Sequence, residues 1–370
     1  MNSNDTRQSS MARAARTVQF GLCLMALLLP AFATSALAQI DGEPFERARD
    51  VYNEGEYGQA AELFAGLAKD ETVDMEVRKE SLRYLGRAHL AQGNAEDARQ
   101  AVADLLALQP PLVELDPDVE SPPMMNIYYE MRQGMEGHVV PKTDPGMHTV
   151  AVMDFRNYAL DEKERWDPMQ WGFASLMIEQ LGGAVDLKLV ERENLRYVLD
   201  ELDLQSEPGR VDDETAVRMG KVIGAHAMVL GSIFIMGKDM RLGARVVKVE
   251  TGEILMGESV QGKTKDVFEL LEQLTLKVAR AVNSTLTETE IGARTDTKSM
   301  DAMQYYSQGL KLAEDGNYRA AYDKYMEALD KDPNYERAKR RADSLVPILA
   351  SMANSEGSDS GSSGESGVPR

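Results

Sequence analysis

The sequence predicts an α/β domain combined with all-α helical repeats, and three observations carry that reading. Between His148 and Leu286, short β-branched runs alternate with amphipathic helical spacing, the mark of strands joined by packed helices. Residues 42–110 show only helical spacing, in two helix-turn-helix units of about 34 residues. The same spacing returns at 299–352. A chain of 370 residues has room for two or three domains and a real core.

Residues 1–38 have the features of an export signal. Arg7, Arg13 and Arg16 precede an apolar core from Phe20 to Phe32, and Ala36-Leu-Ala38 supplies the small-x-small pattern, so cleavage is expected after Ala38. The apolar core is too short for a helix that spans a bilayer, and no other stretch approaches that length. The expectation is a chain with no integral membrane span once the signal is removed. Cys23, the only cysteine, lies inside the signal, so the mature chain would have neither disulfide nor thiol nucleophile. Lipidation at Cys23 is not expected, because Phe20-Gly-Leu22 precedes it where a lipobox wants a small residue. The net charge is −20; the signal carries +2, leaving −22 from Gln39 onward. Such a surface repels phosphate backbones and anionic headgroups, so nucleic acid is excluded as an expected partner.

In the first helical unit Ala48, Val51, Gly55, Tyr57, Ala60, Phe64 and Leu67 fall where paired helices interlock. In the second the set is Leu82, Leu85, Gly86, Gly93, Ala98, Val102, Leu105 and Pro110. Tyr305, Gly309, Leu312, Gly316, Tyr318, Ala321, Tyr325, Ala328 and Pro333 form a third copy, followed by a capping helix from Tyr335 to Met352. The pattern resembles tetratricopeptide (TPR) repeats, with small residues such as Gly86 and Ala98 at close helix crossings. About three such units are normally needed for a stable stack, so copies split between two ends should dock on the α/β domain or on another subunit. Pure scaffolding and binding of a peptide or protein both remain open for these faces.

Residues 111–147 are rich in Pro and polar residues and are expected to be a linker containing a short helix, Met124 to Met135. Residues 353–370 are Ser/Gly-rich and are expected to be a disordered tail.

Within residues 148–286, Thr149 to Phe155 is a buried strand and a helix begins near Asp167, with Met169, Phe173, Leu176, Met177 and Leu181 on one face. Leu187 to Arg192 follows, then helical spacing through Leu195, Val198, Leu199 and Leu202, and a helix from Asp212 to Gly224. A strand from Ala227 to Met236, a hairpin, and a helix from Asp266 to Leu286 complete the set. The phrases Val150-Ala-Val-Met-Asp-Phe155, Leu189-Val-Glu-Arg-Glu-Asn-Leu195, Val211-Asp-Asp-Glu-Thr-Ala216, Val229-Leu-Gly-Ser232 and Ala244-Arg-Val-Val-Lys-Val-Glu-Thr-Gly-Glu-Ile-Leu255 resemble the curli-secretion-channel (CsgG) family, in that family's order. The resemblance implies a CsgG-like mixed sheet with packed helices, a periplasmic or outer-membrane-associated location, and a possible homo-oligomer. Channel-forming members insert two membrane-spanning hairpins, each needing strands of about 9–11 residues. Here only Met236 to Arg241 links Ile235 to Leu242, and the chain after Gln261 passes into a helix, so no pore lining is expected of this chain alone.

Gly257-Glu-Ser-Val-Gln-Gly-Lys-Thr264 matches the phosphate-loop pattern through Gly257, Gly262, Lys263 and Thr264. Glu258 would bring negative charge towards the nest, the residues between the two glycines include no further glycine, and no apolar run ending in Asp follows. A decoy on a return strand from Ile254 to Gln261 is the preferred reading. His89, His138, His148 and His226 lack metal-site spacing, and no Ser, His and carboxylate constellation can be assembled. No cofactor, metal or catalytic residue is expected. The chain is read as an exported, non-enzymatic envelope adaptor whose partners are other envelope proteins. The alternatives are a component of a curli-type secretion assembly and a nucleotide-binding protein.

Overall fold

The computed structural model describes residues 35–108, 115–133, 148–190, 195 and 212–359. The chain separates into Met1–Ile40 and Asp41–Arg370, the second of which packs as one compact unit. Cys23 and His138 lie outside the described residues, as does most of the expected signal.

The α/β domain is a mixed six-stranded sheet with packed helices. Its strands are β1 (His148–Val152), β2 (Arg156–Asn157), β3 (Leu187–Val190), β4 (Ala227–Met236), β5 (Asp239–Lys248) and β6 (Ile254–Lys263), in the order β3-β1-β4-β5-β6. β4 organises the sheet. Its first half pairs in parallel with β1 (Ala151↔Met228), and its second half pairs in parallel with β2 (Asn157↔Ile233). Antiparallel pairing then joins β4 to β5 and β5 to β6. The β4–β5 turn is only Gly237-Lys238, with Gly237 at φ 61°, where a Cβ would be strained.

One sheet face is covered by α7 (Met169–Leu181), which follows the one-turn α6 (Lys163–Trp166), and by α9 (Val267–Ala281). The expectation of a single apolar face on α7 is too narrow. Phe173, Leu176, Met177 and Leu181 meet the sheet, while Trp171 is buried on the opposite side against C-terminal helices. The helix is enclosed, and its polar Gln180 is accommodated by accepting from Thr275 Oγ1 at 2.6 Å and donating to Thr295 Oγ1 at 3.1 Å. α9 stops at Ala281 rather than Leu286, because Asn283 takes a left-handed φ of 60° and turns the chain. The short α10 (Glu288–Gly292) then returns Ile291 to the same core. On the other face α8 (Asp213–Ile223) covers only the end of the sheet around Met228 and Val249.

At the N-terminal side α2 (Tyr57–Lys69), α3 (Met75–Ala91) and α4 (Ala95–Ala107) pack in succession, joined by α5 (Pro122–Gln133), and α1 (Ser35–Asn53) adds Ala48 and Phe45 to their core. Ala98 is fully buried, and a Cβ on Gly86 would come within 2.7 Å of Met124 Cε, so the flexible end of Met124 on α5 packs against α3 at this glycine. C-terminally, α11 (Met300–Glu314), α12 (Tyr318–Lys331) and α13 (Glu336–Asp359) follow. Gly309 faces the ring of Tyr325, Ala321 and Ala328 are buried, Tyr305 lies beside Lys324, and Pro333 is exposed between α12 and α13. The two helical regions touch: Ile348 of α13 is buried in the N-terminal cluster, and Tyr318 packs against both clusters.

Two expectations need correction. The described part of the 111–147 linker is packed, with Leu115, Glu120 and Ser121 buried, because Glu120 finds cationic partners on α3. Residues 353–359, expected in the disordered tail, continue α13, since adding a turn to an existing helix needs no new nucleus.

Candidate functional site

The phosphate-loop match does not form a loop. Gly257, Gly262 and Lys263 lie on β6 and pair with Arg245, Met240 and Asp239 of β5, while Thr264 starts a single 3-10 turn. In a strand successive N–H groups point to opposite edges, so they cannot converge on a phosphate. Lys263 Nζ lies 2.5 Å from Asp239 Oδ1, and Thr264 N donates to Lys238 O at 3.0 Å.

The histidines are spread over the fold. His226 Nδ1 accepts from Thr149 N at 3.0 Å, with the ring of His148 edge-on at 5.7 Å. Burial lowers the pKa of His89, whose Nδ1 is enclosed without a hydrogen-bond partner among the described residues. Among the described residues no group of three His, Cys, Asp or Glu gathers at metal-binding distance.

The sequence reading missed two arginine-rich features. The first is structural. Glu120 accepts from Arg87 Nε at 2.7 Å and Nη2 at 2.6 Å, and from Arg83 Nη2 at 2.9 Å. Burial pushes the Glu120 carboxyl up, but Arg87 and Arg83 outweigh it and hold it below the usual glutamate range. A carboxylate held in this way is no general acid at neutral pH. Nearby, Asp118 accepts from Arg341 Nε at 2.8 Å, joining the 115–121 segment to α13. Fully buried Arg337 donates to Ser175 O at 3.0 Å and Ser175 Oγ at 2.9 Å on α7, and to Asp296 Oδ2 at 3.2 Å. These pairs fasten the helical layers to the α/β domain and to each other.

The second feature is open to solvent. Beyond α8 the second sheet face is uncovered among the described residues and forms a groove of about 630 Å³. Strand alternation puts Ser232 and Phe234 of β4, Arg241, Gly243 and Arg245 of β5, and Gly257 and Ser259 of β6 on this side, with Arg156 and Tyr158 at one margin. Phe234 is 40% exposed and Tyr158 51%. Arg245 is held by Asp213 at 2.8 Å, whereas Arg241 Nε donates to Ser259 Oγ at 2.9 Å and makes no ion pair among the described residues. The signal for this face was present in the sequence: Phe234 and Met236 share a phase opposite to the buried Ile233 and Ile235. Asp212, Asp213 and Glu258 line the same groove.

Residues 138–241 match the family model for the curli production assembly/transport component CsgG. No curated protein matches the chain. Among solved structures, the C-terminal domain of LpoB from Escherichia coli is similar at 17% identity, covering 37% of this chain and 95% of that one with a TM-score of 0.26. Lipoprotein GNA1162 from Neisseria meningitidis is similar at 15% identity, covering 38% and 99%, with a TM-score of 0.28. TolB from Acinetobacter baumannii is similar at 10% identity, covering 37% and 28%, with a TM-score of 0.26.

Proposed function

We propose that this protein is an exported, non-enzymatic accessory protein of the cell envelope, periplasmic or outer-membrane-associated, that binds other envelope proteins. One observation carries the reading: the CsgG match falls on a domain whose two hairpin positions are closed. The two-residue turn Gly237-Lys238 joins β4 to β5, and the single turn Thr264–Asp266 joins β6 to α9. The domain therefore keeps the sheet while offering neither connection as a membrane ribbon. TPR-like helices around it supply further partner surfaces. Among the described residues no helix is long and apolar enough to cross a membrane.

Affinity purification of the full chain from its native envelope, followed by quantitative mass spectrometry, tests this. The expected result is a stoichiometric complex with envelope proteins that forms without detergent-dependent conductance. A monomer with no envelope partner, or a conducting channel in planar bilayers, would sink it.

A further inference from the structure

We propose that the free edge of β6 takes up an extended segment of a partner protein by strand addition, with an acidic residue of that segment meeting Arg241. The inference rests on the adaptor reading and names the surface and the chemistry of its partner.

Backbone geometry identifies the occupant. The two-residue turn makes Met236 and Asp239 the first pair to exchange ladder bonds, so odd-numbered residues of β5 face β4 and even-numbered ones face β6. The partners Met240↔Gly262, Leu242↔Val260 and Ala244↔Glu258 then occupy the even-numbered groups of β6. Gly257, Ser259 and Gln261 are left with their N–H and C=O groups directed outward, and no hydrogen bond reaches those groups among the described residues. β6 has ten residues and no proline, which makes a long edge. A row of unpaired donors and acceptors at strand spacing matches an extended polypeptide.

Charge selects among such segments. Arg241 stands across from Gln261 and leans over β6 to reach Ser259, so its guanidinium lies above the strand next to the free edge. An added strand would run about 4.8 Å further out, within reach of the remaining guanidinium N–H groups. In a chain of net charge −20 this arginine makes no ion pair among the described residues. A second copy of the chain would not satisfy it. On this face β6 itself presents Ser259 and Gln261, neither of them acidic, while Glu258 at the groove's margin is already paired with Lys277, and two copies would repel through their overall charge.

The test uses the full chain with two synthetic nine-residue peptides of alternating Thr and Val, one with a central Glu on the arginine-facing side and the other with Lys there. Fluorescence anisotropy and amide hydrogen exchange are measured. The Glu peptide should protect the Ser259 and Gln261 amides and bind about tenfold more tightly than the Lys peptide, as a charge-assisted contact requires. Arg241→Glu should reverse that preference. Ser259→Pro should abolish binding, because it deletes an outward N–H while leaving the backbone ladder to β5 intact, whereas Ser259→Ala, which likewise loses the hydroxyl that accepts from Arg241 but keeps the N–H, should still bind. Equal binding of the two peptides, or protection that rises with protein concentration and no peptide, would overturn the proposal, the latter assigning the edge to self-pairing. If both peptides fail while the chain still recovers its envelope complex, this edge is excluded and the adaptor reading survives.

Discussion

Arg87 embraces Glu120 with two nitrogens, Nε on Oε2 at 2.7 Å and Nη2 on Oε1 at 2.6 Å, across a separation of 33 residues. The Glu120 side chain has no solvent exposure and that of Arg87 has 14%. Forming a buried pair is close to neutral, because desolvation opposes attraction; removing one partner strands the other charge.

Glu120→Ala should therefore destabilise the protein by about 3–5 kcal/mol, and Arg87→Ala by less, because Arg83 still donates to Glu120 at 2.9 Å, both measured by urea unfolding. Unchanged midpoints would show that the pair is solvated in solution.

The same pair sets a pH dependence. The Glu120 pKa is depressed below its ordinary 4.5 in the folded state, so the unfolded chain binds protons more readily. Its contribution is full above that value and is lost as pH falls through the folded pKa. His89 acts in the same direction at higher pH. Burial lowers its pKa from 6.5, so stability declines as pH drops below that value. Asp116, whose pKa burial raises, opposes both weakly. Melting temperature should fall progressively from pH 7 to pH 4, and His89→Gln should flatten the upper part of that decline.

Two glycines should behave oppositely. Gly309→Ala drives a methyl into the Tyr325 ring and should cost about 1–3 kcal/mol by overpacking, whereas a methyl on Gly257 meets nothing within 4 Å. Gly257→Ala should stay within about 0.5 kcal/mol of the parent, since it sits on an open surface. Differential scanning calorimetry of the two variants decides this.

Magnesium with ATP should leave the melting temperature unchanged in the parent and in Lys263→Ala. A ligand bound only by the folded state must raise it, by about 2.7 kcal/mol of stability at a hundredfold excess over Kd. A nucleotide-dependent rise in the parent that is absent from the variant would restore the phosphate-loop reading of Gly257 to Thr264.

Much of the α/β domain was legible because strand and helix periods are local. The span Ala227 to Met236 follows directly from β-branched content bounded by His226 and Gly237, and it is β4 in the structure. Helix ends were less secure. Asn283 turns the chain three residues before Leu286, the expected end of α9, so the helix closes at Ala281, and nothing in the apolar spacing marks that turn. The open groove was only half legible: alternation puts Phe234 and Arg241 at the solvent phase, but it does not say that α8 stops short of them.

By itself the sequence determined the element types, the short β4–β5 connection and the acidic balance, all properties of neighbouring residues or of the whole composition. Tertiary structure alone decided that Glu120 in a Pro-rich stretch is a buried anchor, that α7 is enclosed on both sides, and that the odd-numbered backbone groups of β6 face outward. The reason is physical: desolvation, enclosure and ladder parity depend on which distant segments come together, and no local period encodes that.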